Sequence, residues 1–208
     1  MITKHLYETI REKYGKVASW AVWEPAPEGG KKPTSRMGPH IFNLEKNPSL
    51  LETLRNDIVM VGLSFADRDV LVDFANFHDL SPRAKDFKIR HAFWNTPYYG
   101  AYMTDVLKNL KKSNVQGVRE HLKSHPDFAE SQVTNFANEL NDLQSEKPLL
   151  LVFGRYAYDL LDRWLDESHY SDLILLPHYS DYSHYGPMKK YRDEVWRRIF
   201  ERTGAVNN

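Results

Sequence analysis

The chain of 208 residues contains no cysteine. Disulfide bridges, thiolate nucleophiles and sulfur-bound zinc are therefore excluded from its own chemistry. Chains without disulfides are typical of a reducing compartment, so we expect the protein in the cytoplasm. The first residues, MITKHLYETIREKYGK, have the spacing of an amphipathic helix and lack the apolar segment of a signal peptide.

Neither sign of charge is in excess, and long apolar runs are missing. Because 28 Lys and Arg balance 28 Asp and Glu, the formal net charge is zero. Proteins that grip long nucleic acids usually carry a basic excess, so any nucleic-acid contact is expected to be local. No apolar run approaches the roughly 20 residues that span a bilayer, so we expect no membrane partner.

Aromatic residues, in contrast, are plentiful, with 12 Tyr, 10 Phe and 5 Trp. Their first use is core packing, and their second is to offer a face on which a planar ligand stacks. The residue pattern gives no reason to expect a cofactor. A tight metal-binding pair such as HExxH is also missing from the sequence.

The chain is predicted to form one domain over residues 1–208, with an extension at 1–48. In the extension, apolar spacing predicts a helix at 2–14, and VASWAVWE predicts a strand at 17–24. The segment 25–40, rich in proline, glycine and basic residues, is either a solvated loop or a basic flap over a ligand.

Beyond residue 48, short apolar runs alternate with amphipathic segments. Strands are predicted at 57–64, 100–107, the residues from 148 up to Gly154, and 172–178. Helices are predicted at 49–55, 82–93, 116–124, 130–144, the stretch after Gly154, and 187–202. This alternation predicts an α/β fold, a three-layer αβα sandwich around a short, mainly parallel four-stranded sheet.

Ligands of such sheets bind beyond the carboxyl ends of the strands. Polar residues follow each predicted strand, and we expect them to meet at one ligand-binding site beyond the strand ends. They are Ser64 to Asp69, Thr104 and Asp105, Gly154 and Arg155, and His178 to His184. Alternatives remain for each segment: 61–69 also suits a plain strand-to-helix turn, Asp105 suits a helix N-cap, and Ser81–Pro82 suits the start of a surface helix.

Five short segments in this order resemble the uracil-DNA glycosylase superfamily. They are VMVGLS, an aromatic–asparagine segment, YMTDVLK, LLLVFGRYAYDLL and LLPHYS, within residues 57–186. The resemblance implies an enzyme that flips a base out of DNA and hydrolyses its N-glycosidic bond, with DNA or a nucleobase-containing ligand as partner.

The resemblance also implies roles for individual residues. Gly62 and Ser64 match the first motif, and Phe65 replaces its proline. Phe77 would stack on the base, and Asp105 or Thr104 would read its edge. His178, Tyr179 and Ser180 match the terminal motif, in which the histidine stabilises the leaving base, and the loop 181–186 would enter the duplex. The predicted catalytic set is His178, Ser64 and Asp67, and the predicted DNA contacts are Arg83, Lys85, Arg155 and His184.

Two departures from the superfamily pattern matter chemically. Serine is too weak a base to activate water at neutral pH, so Asp67, Asp69 or Asp79 would have to replace Ser64. An ionised Asp105 accepts from N3–H of uracil but repels O4, and it suits an amino-bearing base better.

Two other functions are consistent with the residues. The first is a binding module of the same fold without catalysis. The second is a metal-dependent hydrolase, with ligands drawn from His78, Asp79, Asp105, His178 and His184.

Overall fold

The computed structural model of the chain describes residues 2–24, 41–64, 72–78, 85–108, 110, 115–181, 184 and 186–204. Five positions of the predicted site lie outside these ranges: Phe65, Asp67, Asp69, Asp79 and Arg83. None of the helices within the described ranges is long and apolar enough to span a membrane.

One sheet organises the fold. Its strands are β1 Ser19–Trp20, β2 Arg55–Ser64, β3 Ala101–Leu107, β4 Leu149–Phe153 and β5 Asp172–Leu176. Their order is β1-β3-β2-β4-β5, with β2 to β5 parallel and β1 antiparallel to β3. The predicted α/β class is confirmed. The sheet is mixed and five-stranded, where four strands were predicted, because β1 from the predicted strand 17–24 joins its edge.

Seven α-helices occur within the described residues. They are α1 Lys4–Tyr14, α2 Leu50–Thr53, α3 Phe87–Phe93, α4 Val115–Ser124, α5 Pro126–Asp142, α6 Arg155–Trp164 and α7 Met188–Thr203. A single 3-10 turn, Glu167–His169, precedes β5. Helix α5 begins four residues earlier than predicted, because Pro126 occupies its first turn, where a missing backbone N–H costs nothing.

Apolar side chains alternate between the two faces of the sheet, and each face has its own core. On β2, Val59 and Val61 contribute to the core that contains residues of α1, α4, α5 and α6. Ile58 and Met60 contribute to the core that contains residues of α3 and α7. Helices therefore cover both faces, and we refer to the second side as the α3/α7 face.

Helix α7 is fixed to this face by both apolar and polar contacts. Tyr191, Val195 and Ile199 are fully buried in the core of this face. The Trp196 indole N–H donates to the carbonyl oxygen of Ala92 at 2.9 Å, linking α7 to α3. Together, α3 and α7 pack against the strands on this face.

Candidate functional site

The ends of β2 and β4 form a topological switch point. Strand β2 is followed by α3 on one face of the sheet, whereas β4 is followed by α6 on the other face. In the sheet, β2 lies between β3 and β4. The chain passes from β2 to its neighbour β3 first, and it forms β4 on the other side of β2 afterwards. Connections that diverge in this way open a crevice beyond the strand ends, which is where α/β proteins bind ligands.

Two predicted site residues lie opposite each other near the carboxyl ends of β2 and β3. Gly62 on β2 is paired in register with Asp105 on β3. Because side chains alternate along a strand, Gly62 lies on the same side of β2 as Met60, and Asp105 on the same side of β3 as Met103. Both methionines belong to the α3/α7 core, so both site residues lie on that face.

Gly62 makes room for Asp105 and for the Phe77 ring. A Cβ atom added to Gly62 would lie 2.2 Å from Asp105 Oδ1 and 3.2 Å from Phe77 Cζ. The described groups that approach the Gly62 backbone most closely are thus a carboxylate oxygen and an aromatic edge. The two side chains are almost fully buried, each 4% exposed.

Asn76, which was not among the predicted site residues, holds these two residues in place. Its Nδ2 donates to Asp105 Oδ2 and to the Val17 carbonyl oxygen, both at 2.9 Å. Its Oδ1 accepts the Phe77 backbone N–H at 3.1 Å. Both amide hydrogens are thus used, so Asn76 orients the carboxylate and the aromatic residue together. The one signal in the sequence was a polar amide next to the predicted stacking ring.

Phe77 has an unusual backbone conformation. Its φ is 61°, in the left-handed region that aromatic residues rarely adopt. This conformation costs about 1–2 kcal/mol. The bond from its N–H to Asn76 and the adjacent turn, in which His78 N–H donates to the Ala75 carbonyl, offset that cost. The position of the ring is therefore set by its surroundings and not by local backbone preference.

Thr104 does not lie at this site, which corrects one of the two predicted edge readers. Its Oγ1 donates to Glu139 Oε1 at 2.9 Å, on the opposite face of the sheet. Asp105 also does not cap a helix, since it lies inside β3 and its side chain accepts from Asn76. Of the two residues, Asp105 alone lies on the α3/α7 face.

A buried ion pair links the end of β3 to α5. Lys108 pairs with Glu139, which is fully buried in α5, and Lys108 Nζ also donates to the Asp105 carbonyl oxygen at 2.6 Å. The Tyr102 hydroxyl donates to Glu139 at 2.7 Å. The backbone that carries Asp105 is therefore tied to α5 through charged and neutral hydrogen bonds.

His178 lies two residues beyond β5, at the same edge of the sheet. Its ring stacks on Tyr179, with centroids 4.4 Å apart, and a Cβ on Gly154 would lie 3.4 Å from His178 Cβ. Tyr179 in turn packs against the α3/α7 core, edge-on to Phe153. Phe77 belongs to the same core, so Tyr179 and Phe77 lie on one side of the sheet.

The hydrogen bonds of His178 define its tautomer. Its Nδ1 lies 3.2 Å from the Ser180 backbone N–H and 2.7 Å from Ser180 Oγ. A backbone N–H can only donate, so Nδ1 accepts, and the neutral ring carries its proton on Nε2. Burial lowers the pKa of His178 to about 4, against the opposing effect of the Asp181 carboxylate. At neutral pH the ring is therefore an uncharged donor at Nε2.

Ser64 is the last residue of β2, opposite Leu107, and it is half-buried. The resemblance implies that the water-activating residue would stand at this position. The carboxylates that were predicted to compensate for it, at 67, 69 and 79, lie outside the described residues.

The basic residues of α3 do not form an exposed phosphate-binding face. Lys88 is 1% exposed and Arg90 is 6% exposed. Lys88 lies over the Tyr191 ring at 5.7 Å, and Arg90 stacks on Trp94 at 5.0 Å. Lys85 is half-buried before the helix. The positions of Lys88 and Arg90 on this short helix therefore turn both side chains toward the core.

The other predicted DNA contacts are exposed. Arg155 begins α6, pairs with Asp159 at 3.5 Å, and lines a groove of about 300 Å³ along the edge of β5. Three more arginines line this groove: Arg197, Arg198 and Arg202. His184 is exposed and lies 3.1 Å from Asp181.

The ligand set of the metal-dependent hydrolase is not assembled in the described part of the chain. Among those residues, no three His, Asp or Glu side chains come together in a group that could hold a metal ion. His78 instead packs between Trp23 and Phe42, and its Nε2 lies 3.2 Å from the Trp20 carbonyl oxygen.

The crowding at Gly62 gives a stability prediction. We expect Gly62→Ala to lower the free energy of unfolding by about 1–3 kcal/mol, because the new methyl group displaces the Asp105 carboxylate from Asn76. In an Asp105→Ala background the same change should cost much less, since the oxygen it meets is gone. Urea denaturation of the four proteins measures this coupling. Additive effects within about 0.5 kcal/mol would show that the contact is not there.

Comparison with known proteins found no relative. No model of a known protein family, no curated protein and no solved structure matches this chain. The resemblance of its short segments to the uracil-DNA glycosylase superfamily therefore stays a prediction, and the site geometry is the basis for a functional proposal.

Proposed function

We propose that the protein hydrolyses the N-glycosidic bond of a base flipped out of DNA, as the resemblance to the uracil-DNA glycosylase superfamily implies. One observation carries this proposal. An acceptor carboxylate and an aromatic ring lie on one face of the mixed sheet, and a neutral histidine stacks on Tyr179, which packs against the core of that face beside a topological switch point. Such an arrangement suits a planar heterocycle that needs stacking, edge recognition and electrostatic help to leave.

Each residue has a role in this proposal. The base would stack on Phe77 and present its pairing edge to Asp105. As the bond to C1′ breaks, the base keeps the bonding electrons and becomes anionic. Water adds to C1′ of the cation-like sugar and gives up one proton to solvent, and the released base takes one proton from solvent. His178 would donate its Nε2–H to the developing negative charge. A neutral donor of fixed tautomer suits this task, since it needs no prior proton uptake.

Base release from defined oligonucleotides tests the proposal. We expect the purified protein to produce abasic sites, seen as strand breaks after alkali, on at least one oligonucleotide of a single- and double-stranded panel. The panel carries uracil, hypoxanthine, cytosine, 5-methylcytosine and adenine at one position. No abasic product on any member, with an active control enzyme alongside, would contradict the proposal.

A second candidate function is a binding module of the same fold without catalysis. The half-buried Ser64 at the end of β2 favours it, because a serine does not activate water at neutral pH. This candidate predicts that labelled single-stranded DNA binds in a salt-dependent manner and is recovered unchanged. The same oligonucleotide panel separates the two functions, since only the enzyme leaves abasic product.

A further inference from the structure

Strand β5 forms one edge of the sheet, and its outer side presents backbone hydrogen-bonding groups. Within the described residues, β4 is its one partner strand. The Leu176 carbonyl oxygen accepts the Gly154 N–H at 2.9 Å, so the backbone groups of Leu176 point toward β4. Because these groups alternate in direction along a strand, those of Leu173 and Leu175 point to the open edge.

Two of the four groups at the open edge are bonded within the protein. The Leu173 N–H donates to Asp172 Oδ1 at 2.8 Å, and the Leu175 carbonyl accepts from Arg198 Nη1 at 3.1 Å. Among the described hydrogen bonds, none involves the other two groups, the Leu173 carbonyl and the Leu175 N–H. In a parallel ladder, one residue of an added strand, opposite Ile174, donates to this carbonyl and accepts from this N–H.

A groove of about 300 Å³ runs along this edge, between helices that lie on opposite faces of the sheet. The helix residues that line the groove are Arg155 and Tyr158 from α6, and Arg197, Arg198, Glu201 and Arg202 from α7. Four guanidinium groups and one carboxylate therefore surround the open edge of β5. This lining favours an acidic ligand over a basic one.

The ion pairs of these arginines leave hydrogen-bond donors for a ligand. All four arginines pair within the protein, with Asp159, Asp172, Glu194 or Glu201. Arg202 uses Nε and Nη2 for Asp172, which leaves Nη1 outside the described hydrogen bonds, and Arg155 has one ion pair, at 3.5 Å. These two arginine side chains are 57% and 68% exposed. Because exposed ion pairs contribute at most about 1 kcal/mol, a ligand carboxylate can share or replace them.

We propose that the edge of β5 binds an extended peptide segment of a partner protein, parallel to β5, in which acidic and apolar residues alternate. The peptide residue opposite Ile174 forms the two backbone hydrogen bonds, and its side chain points to the same face as Ile174, the α3/α7 face. On that face it meets the arginines of α7, so this residue is acidic. The next peptide side chain points to the α6 face, where the half-buried Tyr158 favours an apolar residue.

The same observations disfavour two other occupants of the groove. The backbone of DNA supplies acceptors only, so it offers no donor to the Leu173 carbonyl. A second copy of β5 would bring its own arginines against the four that line the groove. The proposed binding is independent of base hydrolysis, because the groove follows the length of β5 and not the strand ends.

Fluorescence anisotropy with labelled peptides tests the charge of the groove. We expect an eight-residue peptide of alternating glutamate and valine to bind the full chain saturably, and a lysine–valine peptide not to bind. The double variant Arg197→Gln/Arg202→Gln should weaken binding about tenfold or more. Arg11→Gln/Lys123→Gln removes the same charge from exposed positions outside the groove and should keep the affinity within about twofold. No binding of the acidic peptide, or an equal loss in both folded variants, would overturn the proposal.

Two N-methylated forms of the acidic peptide test the strand pairing without any change to the protein. Because the hydrogen-bonded peptide residue is the acidic one, methylation of the glutamate amides should abolish binding, and methylation of the valine amides should preserve it. Equal effects of the two modifications would exclude the added strand. Displacement of the peptide by single-stranded oligothymidylate at equal concentration would assign the groove to nucleic acid and would also overturn the proposal.

Discussion

Replacing Glu139 by alanine is expected to lower the free energy of unfolding by about 3–5 kcal/mol. The side chain is fully buried and accepts hydrogen bonds from Tyr102 and Thr104 while it pairs with Lys108. Its removal leaves a largely buried ammonium group and two hydroxyls without their acceptor. Each of these groups was desolvated on folding, and none regains water in the variant.

Urea denaturation with two companion variants checks the origin of this effect. Glu139→Gln keeps an acceptor for the hydroxyls but not the charge, so its loss should be intermediate. Glu130→Ala removes an exposed carboxylate from the same helix and should change stability by less than about 0.5 kcal/mol. A loss for Glu139→Ala no larger than that of Glu130→Ala would mean that the pair does not stabilise β3.

Replacing His178 by alanine is expected to slow base release about 100- to 1000-fold, the usual effect of removing one donor to a developing anion. The comparison is made by single-turnover kinetics on the best substrate of the oligonucleotide panel. His5→Ala, which changes an exposed histidine of α1, is the matched control. An unchanged rate in the folded His178→Ala protein would remove the histidine from the proposed mechanism.

His178 also gives a signature in the pH dependence of stability. Because burial lowers its pKa to about 4 from an ordinary 6.5, the unfolded chain binds a proton that the folded chain does not between these values. Stability from this group is therefore complete above pH 6.5 and declines as the pH falls to about 4. The decline amounts to about 3 kcal/mol. Denaturation of wild-type and His178→Ala proteins from pH 7 to 4 isolates it, and parallel curves would contradict the burial of the ring.

Much of the fold follows from local sequence patterns. The continuous apolar runs at 57–64 and 148–153 indicate strands that are covered on both faces, and β2 and β4 form there. The spacing of Tyr191, Val195 and Ile199 indicates the buried stripe of α7. Helix boundaries were less predictable, because capping and proline act over one turn and compete with tertiary packing.

The candidate site was predictable in location but not in detail. Strand-end position is a local property, and it selected Ser64, Asp105 and His178. The contacts of Asn76 depend on a segment that returns to the sheet 29 residues before Asp105, and no local pattern encodes that return. Packing against α5 likewise determined the face of the sheet on which Thr104 lies. Packing against α7 determined the burial of Lys88.

The sequence by itself determined the α/β class, the parallel strands and the strand ends at which polar residues gather, because hydrophobic periodicity and turn residues act locally. The tertiary structure alone decided which of those residues meet. It placed Asp105 over Gly62, held it with Asn76, and turned Thr104 toward Glu139. Neighbouring residues of one strand point to opposite faces, so only register and helix packing determine which side chain reaches the crevice.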